Sequence, residues 1–181
     1  MATTARLTID DFERLPQEQA KNHELVDGEL IPVPGNTPEH IDIQDLLIEV
    51  LRPFVRERRL GKVYAELEYD FGGNAHAPDL SFFGPAKKAL MNRRKRVQRF
   101  VPDLAIEIAP ANDTFGALLR KVQRYRSCGT EEVWIVVPEA LLVQVYSNRG
   151  DRILGEDALL TTELIPGFEI PVKRLFDEMN D

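Results

Sequence analysis

Three acids and one lysine have types and positions that could support hydrolytic chemistry. Asp79 follows Pro78 in the strand-like run APDLSFF, residues 77–83. Glu107 lies in VPDLAIEI, residues 101–108, among Leu, Ile and Ala. A carboxylate in such a strand must find solvent, a partner or a metal, because burying it alone is costly. Mg²⁺ takes carboxylate and carbonyl oxygens and keeps several waters. Two acids on neighbouring strands can therefore hold it, with the backbone carbonyl of Ile108 as a third ligand. An edge salt bridge, or two solvated strand faces, explains the same pair without a metal. Lys121 falls on the next helical run, about 60° from Leu118 and about 40° from Tyr125 at 100° per residue. That places it on the border of a buried stripe, from which it can reach over the sheet. A lysine there can orient a nucleophilic water and offset transition-state charge. The plainer alternative is a stem that snorkels along the core edge. Glu24, in HELVDGEL, either adds a third carboxylate or is a surface strand acid.

The elements that must position these residues follow from periodicity and turn chemistry. Thr8 caps a short helix running to about Leu15, with Asp10 and Asp11 in its first turn. HELVDGELIPVPG, residues 23–35, reads as a hairpin about Asp27-Gly28. Thr37-Pro38 starts a helix whose buried face is Ile43, Leu46, Leu47, Val50, Leu51 and Phe54, kinked at Pro53 and ended before Gly61. KVYAELEYDF, residues 62–71, reads as one strand, Gly72-Gly73-Asn74 as a turn, and 77–83 as its partner. In 101–108, Leu104, Ile106 and Ile108 share one face, and Ala105 and Glu107 the other. Asn112, Asp113 or Thr114 caps a helix to about Ser127, with Phe115, Leu118, Leu119, Val122 and Tyr125 as its stripe and Gly129 as its stop. EEVWIVVP, residues 131–138, is a continuous apolar run suited to a central strand, with Trp134 in the core. A further hairpin turns near Asn148-Arg149-Gly150, and the tail reads as a short strand and a helical turn. The strand–helix–strand unit over 103–138 implies a right-handed parallel crossover in an otherwise antiparallel, mixed sheet.

The 181 residues suit one domain. Net charge is −7, but its distribution is uneven. GPAKKALMNRRKRVQRFV, residues 84–101, carries seven Lys or Arg and no acid; the remainder holds 16 basic against 30 acidic residues. Arg93, Arg94, Lys95 and Arg96 could grip phosphates while the acidic body repels them, which would localise a polyanion. A solvated basic loop explains the run equally well. The single cysteine, Cys128, excludes an internal disulfide and a cysteine zinc site. His23, His40 and His76 lack metal-ligand spacing, and no phosphate-binding glycine loop occurs; His76, three residues before Asp79, either touches substrate or is a turn histidine. The first residues lack an apolar signal stretch, and no run approaches a membrane span, so a soluble cytoplasmic protein with no membrane partner is expected.

The ordered set HELVDGEL, TPEH at a helix start, APDLSF, PDLAIEI, a helix with KVQRY, and GTEEVWIV resembles the bacterial family called putative restriction endonuclease, of the PD-(D/E)XK nuclease superfamily. The resemblance runs from about Leu7 to Phe176. It implies an α/β (α+β) fold, a restriction-endonuclease-like mixed β-sheet flanked by helices in a single domain. It implies Mg²⁺-assisted hydrolysis of DNA phosphodiesters, with Mn²⁺ as a substitute. Pro78-Asp79 and Glu107 match the superfamily signature. Its lysine is absent from the strand, which reads Glu107-Ile108-Ala109, and Lys121 matches the lysine that the family carries on the following helix. Glu24 matches an acid near the site and is the best extra ligand if two metals bind. His40 matches a histidine at the second helix start and joins Arg93, Arg94, Lys95 and Arg96 as a substrate-contact candidate. The alternative is a non-catalytic nucleic-acid-binding or interaction module that keeps the fold. Cutting both strands of a duplex implies two sites, hence a homodimer.

Overall fold

The computed structural model describes residues 6–110 and 115–177. Helix α1 (Ile9–Arg14) begins at the Thr8 cap, and Thr8 and Asp11 form a reciprocal capping box. Helix α2 (Gln17–Ala20) follows. Strands β1 (His23–Val26) and β2 (Glu29–Pro32) form the first hairpin. Its turn places Asp27 at φ 51° and Gly28 at φ 84°. A Cβ on Gly28 would stand 2.5 Å from the Cβ of Arg6, so both the turn and the packing call for glycine there.

Helix α3 (Pro38–Glu57) starts at the Thr37 cap and contains Pro53. An interior proline costs about 3 kcal/mol or more. Ile43, Leu47, Leu51 and Val55 are fully buried along one face. Each contributes roughly 1.5–3 kcal/mol as an upper estimate, which together exceeds that cost.

The run 62–71, expected as one strand, is broken. Strand β3 (Lys62–Ala65) pairs with β6 (Leu80–Phe83), whereas β4 (Tyr69–Asp70) pairs with β5 (Ala75–His76) in a different sheet. The break falls at Glu66, whose φ is 51° and whose N–H donates to the Asp79 carbonyl. The turn at 72–74 therefore closes the β4–β5 hairpin and does not join β3 to β6. Asp79 stands just before β6 rather than inside a strand.

The basic run opens with helix α4 (Pro85–Lys88) and continues irregularly. Strand β7 (Leu104–Ile108), helix α5 (Phe115–Ser127) and strand β8 (Glu132–Val137) form the crossover unit, and β7 and β8 are parallel. The expected caps of α5 at 112–114 lie outside the described residues, as does the side chain of Phe115. Gly129 adopts φ 105° after the helix. Strands β9 (Leu142–Ser147) and β10 (Arg152–Leu154) form the next hairpin. Strands β11 (Leu159–Thr161) and β12 (Glu169–Pro171) pair ahead of a 3-10 turn, Val172–Leu175. The β11 strand was not anticipated.

The main sheet has the order β10-β9-β8-β7-β6-β3, and β2-β1-β5-β4 forms a second sheet. One face of the main sheet presents Leu80, Leu104, Ile106, Ile108 and Trp134 to the buried stripe of α3. The other presents Ala105, Val133 and Ile135 to Leu118, Val122 and Tyr125 of α5. The alternation in β7 thus sends Glu107 towards α5, beneath a covered face. Among the described residues no helix is long and apolar enough to cross a membrane.

Candidate active site

Glu24, Asp79, Glu107 and Lys121 line one open cleft of about 380 Å³. They arrive from β1, the approach to β6, β7 and α5. The Lys121 ammonium stands between two carboxylates, 3.1 Å from Glu24 Oε1 and 3.5 Å from Glu107 Oε2. Tyr125, one helical turn further along α5, donates its hydroxyl to Glu107 Oε1 at 2.6 Å. The helical register that borders the buried stripe therefore gives α5 two groups directed at Glu107.

Asp79 is held on every side. Oδ1 lies 3.1 Å from His40 Nε2, and Oδ2 accepts from the Ile108 N–H at 2.6 Å. Its carbonyl accepts from Gln44 Nε2 at 3.0 Å. His40 and Gln44 are one turn apart on α3, buried beside the apolar stripe. His40 lines the cleft and also fixes an acid. Ile108 presents its N–H to Asp79. Gln44, Arg124 and the hydroxyl of Tyr125 are contributors that sequence reading did not bring to the site; His76, weighed as a substrate contact or a turn histidine, stands against Glu24. A buried polar pair at i and i+4 on an apolar helix face was the available signal for Gln44.

Electrostatics set these groups apart. Burial pushes the Glu107 carboxyl up to about 7; the Lys121 charge opposes this, and the charges of Asp79 and Glu24 add to it. Burial also works to raise Glu24, but contact with His76 and the charge of Lys121 prevail and hold it at about 2. For Lys121, burial works downward, yet the charges of Glu107 and Glu24 keep the ammonium well above its ordinary range. Burial similarly opposes the charged form of His40, while its hydrogen bond and charge interaction with Asp79 raise it.

The cleft lining carries Glu24, Glu66, Glu68, Asp79 and Glu107 against Lys121 alone among lysines and arginines. Among the described residues no three His, Cys, Asp or Glu groups close around a metal by themselves. Mg²⁺ does not need such a cage, since one or two carboxylates, waters and substrate oxygens commonly suffice. Even with Glu68 paired to Arg96 and Asp79 beside His40, carboxylates outnumber the Lys121 charge, and the oxygen-only character of Asp79 and Glu107 fits a hard divalent cation.

The basic run stands outside the cleft and reaches its lining only where Arg96 pairs with Glu68. Lys95 pairs with Glu13 at 2.9 Å. Arg96 pairs with Glu68 at 2.7 Å, donates to the Phe12 carbonyl and lies over the Phe12 ring. Arg93 and Arg94 are exposed. None of the four lines the cleft.

A family model described as Uma2, putative restriction endonuclease, matches residues 9–173. A crystal structure titled as a putative nuclease belonging to DUF820, from Anabaena variabilis ATCC 29413, superposes with a TM-score of 0.82. Its sequence is 24% identical, and the match covers 94% of this chain and 97% of that one. This likeness establishes the fold. The curated proteins contain no match.

Proposed function

The chain belongs to the Uma2 family of putative restriction endonucleases, and from the chemistry of its cleft we propose that it is a Mg²⁺-dependent endonuclease hydrolysing DNA phosphodiester bonds. The observation that carries this reading is the Lys121 ammonium between Glu24 and Glu107, in a cleft that also holds Asp79. Asp79 and Glu107 would hold the metal, with the Ile108 carbonyl as a further ligand. Bound Mg²⁺ would supply Lewis acidity, polarising phosphoryl oxygens and acidifying water. His40, Gln44 and the Ile108 N–H keep Asp79 in place before any ligand arrives. Tyr125 does the same for Glu107. Lys121, held charged, would orient the attacking water and offset the charge that develops on the phosphoryl oxygens during in-line displacement.

The acidic lining also bears on the order of events. Without a cation it repels a phosphate, so tight substrate engagement at the cleft requires metal. Purified protein should nick supercoiled plasmid with Mg²⁺ or Mn²⁺ and not with chelator, and Asp79→Ala should not nick. Intact plasmid with wild type, together with no metal binding in titrations, contradicts the proposal. Exposed Arg93 and Arg94 favour a second reading, a binding module without catalysis. That module would retain DNA in Asp79→Ala and release it when Arg93 and Arg94 are neutralised. A cytoplasmic homodimer presenting two clefts suits cleavage of both strands; sedimentation as a monomer at micromolar concentration counts against it.

A further inference from the structure

Lys121 and Arg124 lie on the same side of α5, one turn apart, and both reach towards the smaller sheet. Lys121 meets Glu24 of β1. Arg124 meets the Asp27 carboxylate at 3.3 Å and His76 Nε2 of β5, also at 3.3 Å. His76 is 3% exposed, and its ring packs edge-on against Tyr125. Its other nitrogen, Nδ1, is 3.0 Å from Glu24 Oε2. The approach is off the ideal line for a hydrogen bond, and Nδ1 has no other polar partner. A guanidinium only donates. His76 Nε2 must therefore accept from Arg124, which leaves the ring proton on Nδ1, facing Glu24. Both oxygens of Glu24 then have their work: Oε2 faces His76 and Oε1 accepts from Lys121.

We propose that Arg124 and His76 are positioning residues for Lys121. Arg124 fixes the tautomer and orientation of His76, His76 steadies Glu24, and Glu24 holds the Lys121 ammonium towards Glu107. Glu24 acts through the lysine and is not a metal ligand. The relay deepens the endonuclease reading and rests on it for the role of Lys121, but its geometry is independent of that reading. It also ties the two sheets together at the cleft: β1 and β5 supply Glu24 and His76, while α5, which covers the main sheet, supplies the cations.

The test has three readouts. In protein labelled with ¹⁵N-histidine, the ring signals of His76, identified by their loss in His76→Asn, should show a proton on Nδ1 and none on Nε2. Arg124→Met should shift that preference. A proton on Nε2 in the wild type overturns the relay. In Mn²⁺ titrations, Asp79→Asn should weaken binding about tenfold or more, while Glu24→Gln changes it less than about threefold. Equal loss in the two variants makes Glu24 a ligand and overturns the proposal. In plasmid nicking, His76→Leu should lower kcat about tenfold with KM unchanged. His76→Asn, whose amide nitrogen can occupy the place of Nδ1, should recover most of it. Loss that His76→Asn does not recover contradicts the positioning role. If the wild type nicks nothing, the endonuclease reading fails, and the ring-proton and Mn²⁺ readouts still decide the relay.

Discussion

The molecule has two concentrations of charge, and they are built in opposite ways. In the basic run between β6 and β7, charges are adjacent in sequence and mostly balanced in space. Lys87 pairs with Asp103 at 2.5 Å, Lys95 with Glu13, Arg96 with Glu68, and Arg99 with Asp10 and Asp70. In the cleft, the charges come from residues 24 to 121, are largely buried, and leave several carboxylates around one ammonium. Paired charges hold an irregular segment against α1 and the second sheet. In the cleft one ammonium is shared between Glu24 and Glu107, and that excess of carboxylate is an electrostatic demand that a cation can meet. A run of charge is easy to see in a sequence, but here the scattered acids have the surroundings suited to chemistry.

The contrast can be broken by substitution. In the cleft, Lys121→Ala should reduce plasmid nicking by about 10²-fold or more, while thermal melting shows the protein still folded. A smaller change would place the decisive cation elsewhere. In the basic run, Arg96→Ala should act on stability instead. It removes the partner of half-buried Glu68 and the contact over Phe12. The expected loss is about 2 kcal/mol in denaturant unfolding, with nicking by the folded fraction falling far less than in Lys121→Ala. Arg93→Ala with Arg94→Ala should alter stability by less than about 0.5 kcal/mol each. Any effect should appear as weaker, less salt-dependent DNA binding.

Proton linkage sharpens the comparison within the cleft itself, where Glu107 and Glu24 flank the same lysine with opposite shifts. Glu107 is raised to about 7. The folded state therefore retains a proton that the unfolded chain has lost, and its contribution to stability declines as pH rises from about 4.5 to about 7. Glu24 is lowered to about 2. Its contribution is present above about pH 4.5 and disappears as pH falls through about 2. Metal needs the ionised carboxylate, so Mn²⁺ affinity should increase with pH up to about 7 and then level off. Titration calorimetry across pH should find that rise in the wild type and a flatter profile in Glu107→Gln.

Much of the fold was legible because its signals are local. Asp27-Gly28, Thr37-Pro38 and the apolar run 132–137 specify a turn, a helix start and a central strand from a few neighbouring residues. The failures were non-local. Nothing in KVYAELEYDF marks Glu66 as the point where the chain leaves one sheet for another; that break depends on an N–H bonded to the Asp79 carbonyl, 13 residues onward. The cleft divides similarly. Lys121 could be placed by helical register, and Glu107 was conspicuous in an apolar strand. The contact of His40 with Asp79 spans 39 residues and that of Lys121 with Glu24 spans 97. No spacing rule reaches so far, so the contacts of Gln44 with Asp79, His76 with Glu24 and Arg124 with His76 became visible only with the chain folded.

In the proposed site, Asp79 and Glu107 hold one divalent cation beside Lys121. Anomalous diffraction at the manganese edge from crystals soaked in Mn²⁺ tests it most directly. A peak within coordination distance of both carboxylates is expected, absent in Asp79→Asn. A cleft without a peak under Mn²⁺ saturation, or a peak bound only by other residues, would contradict it.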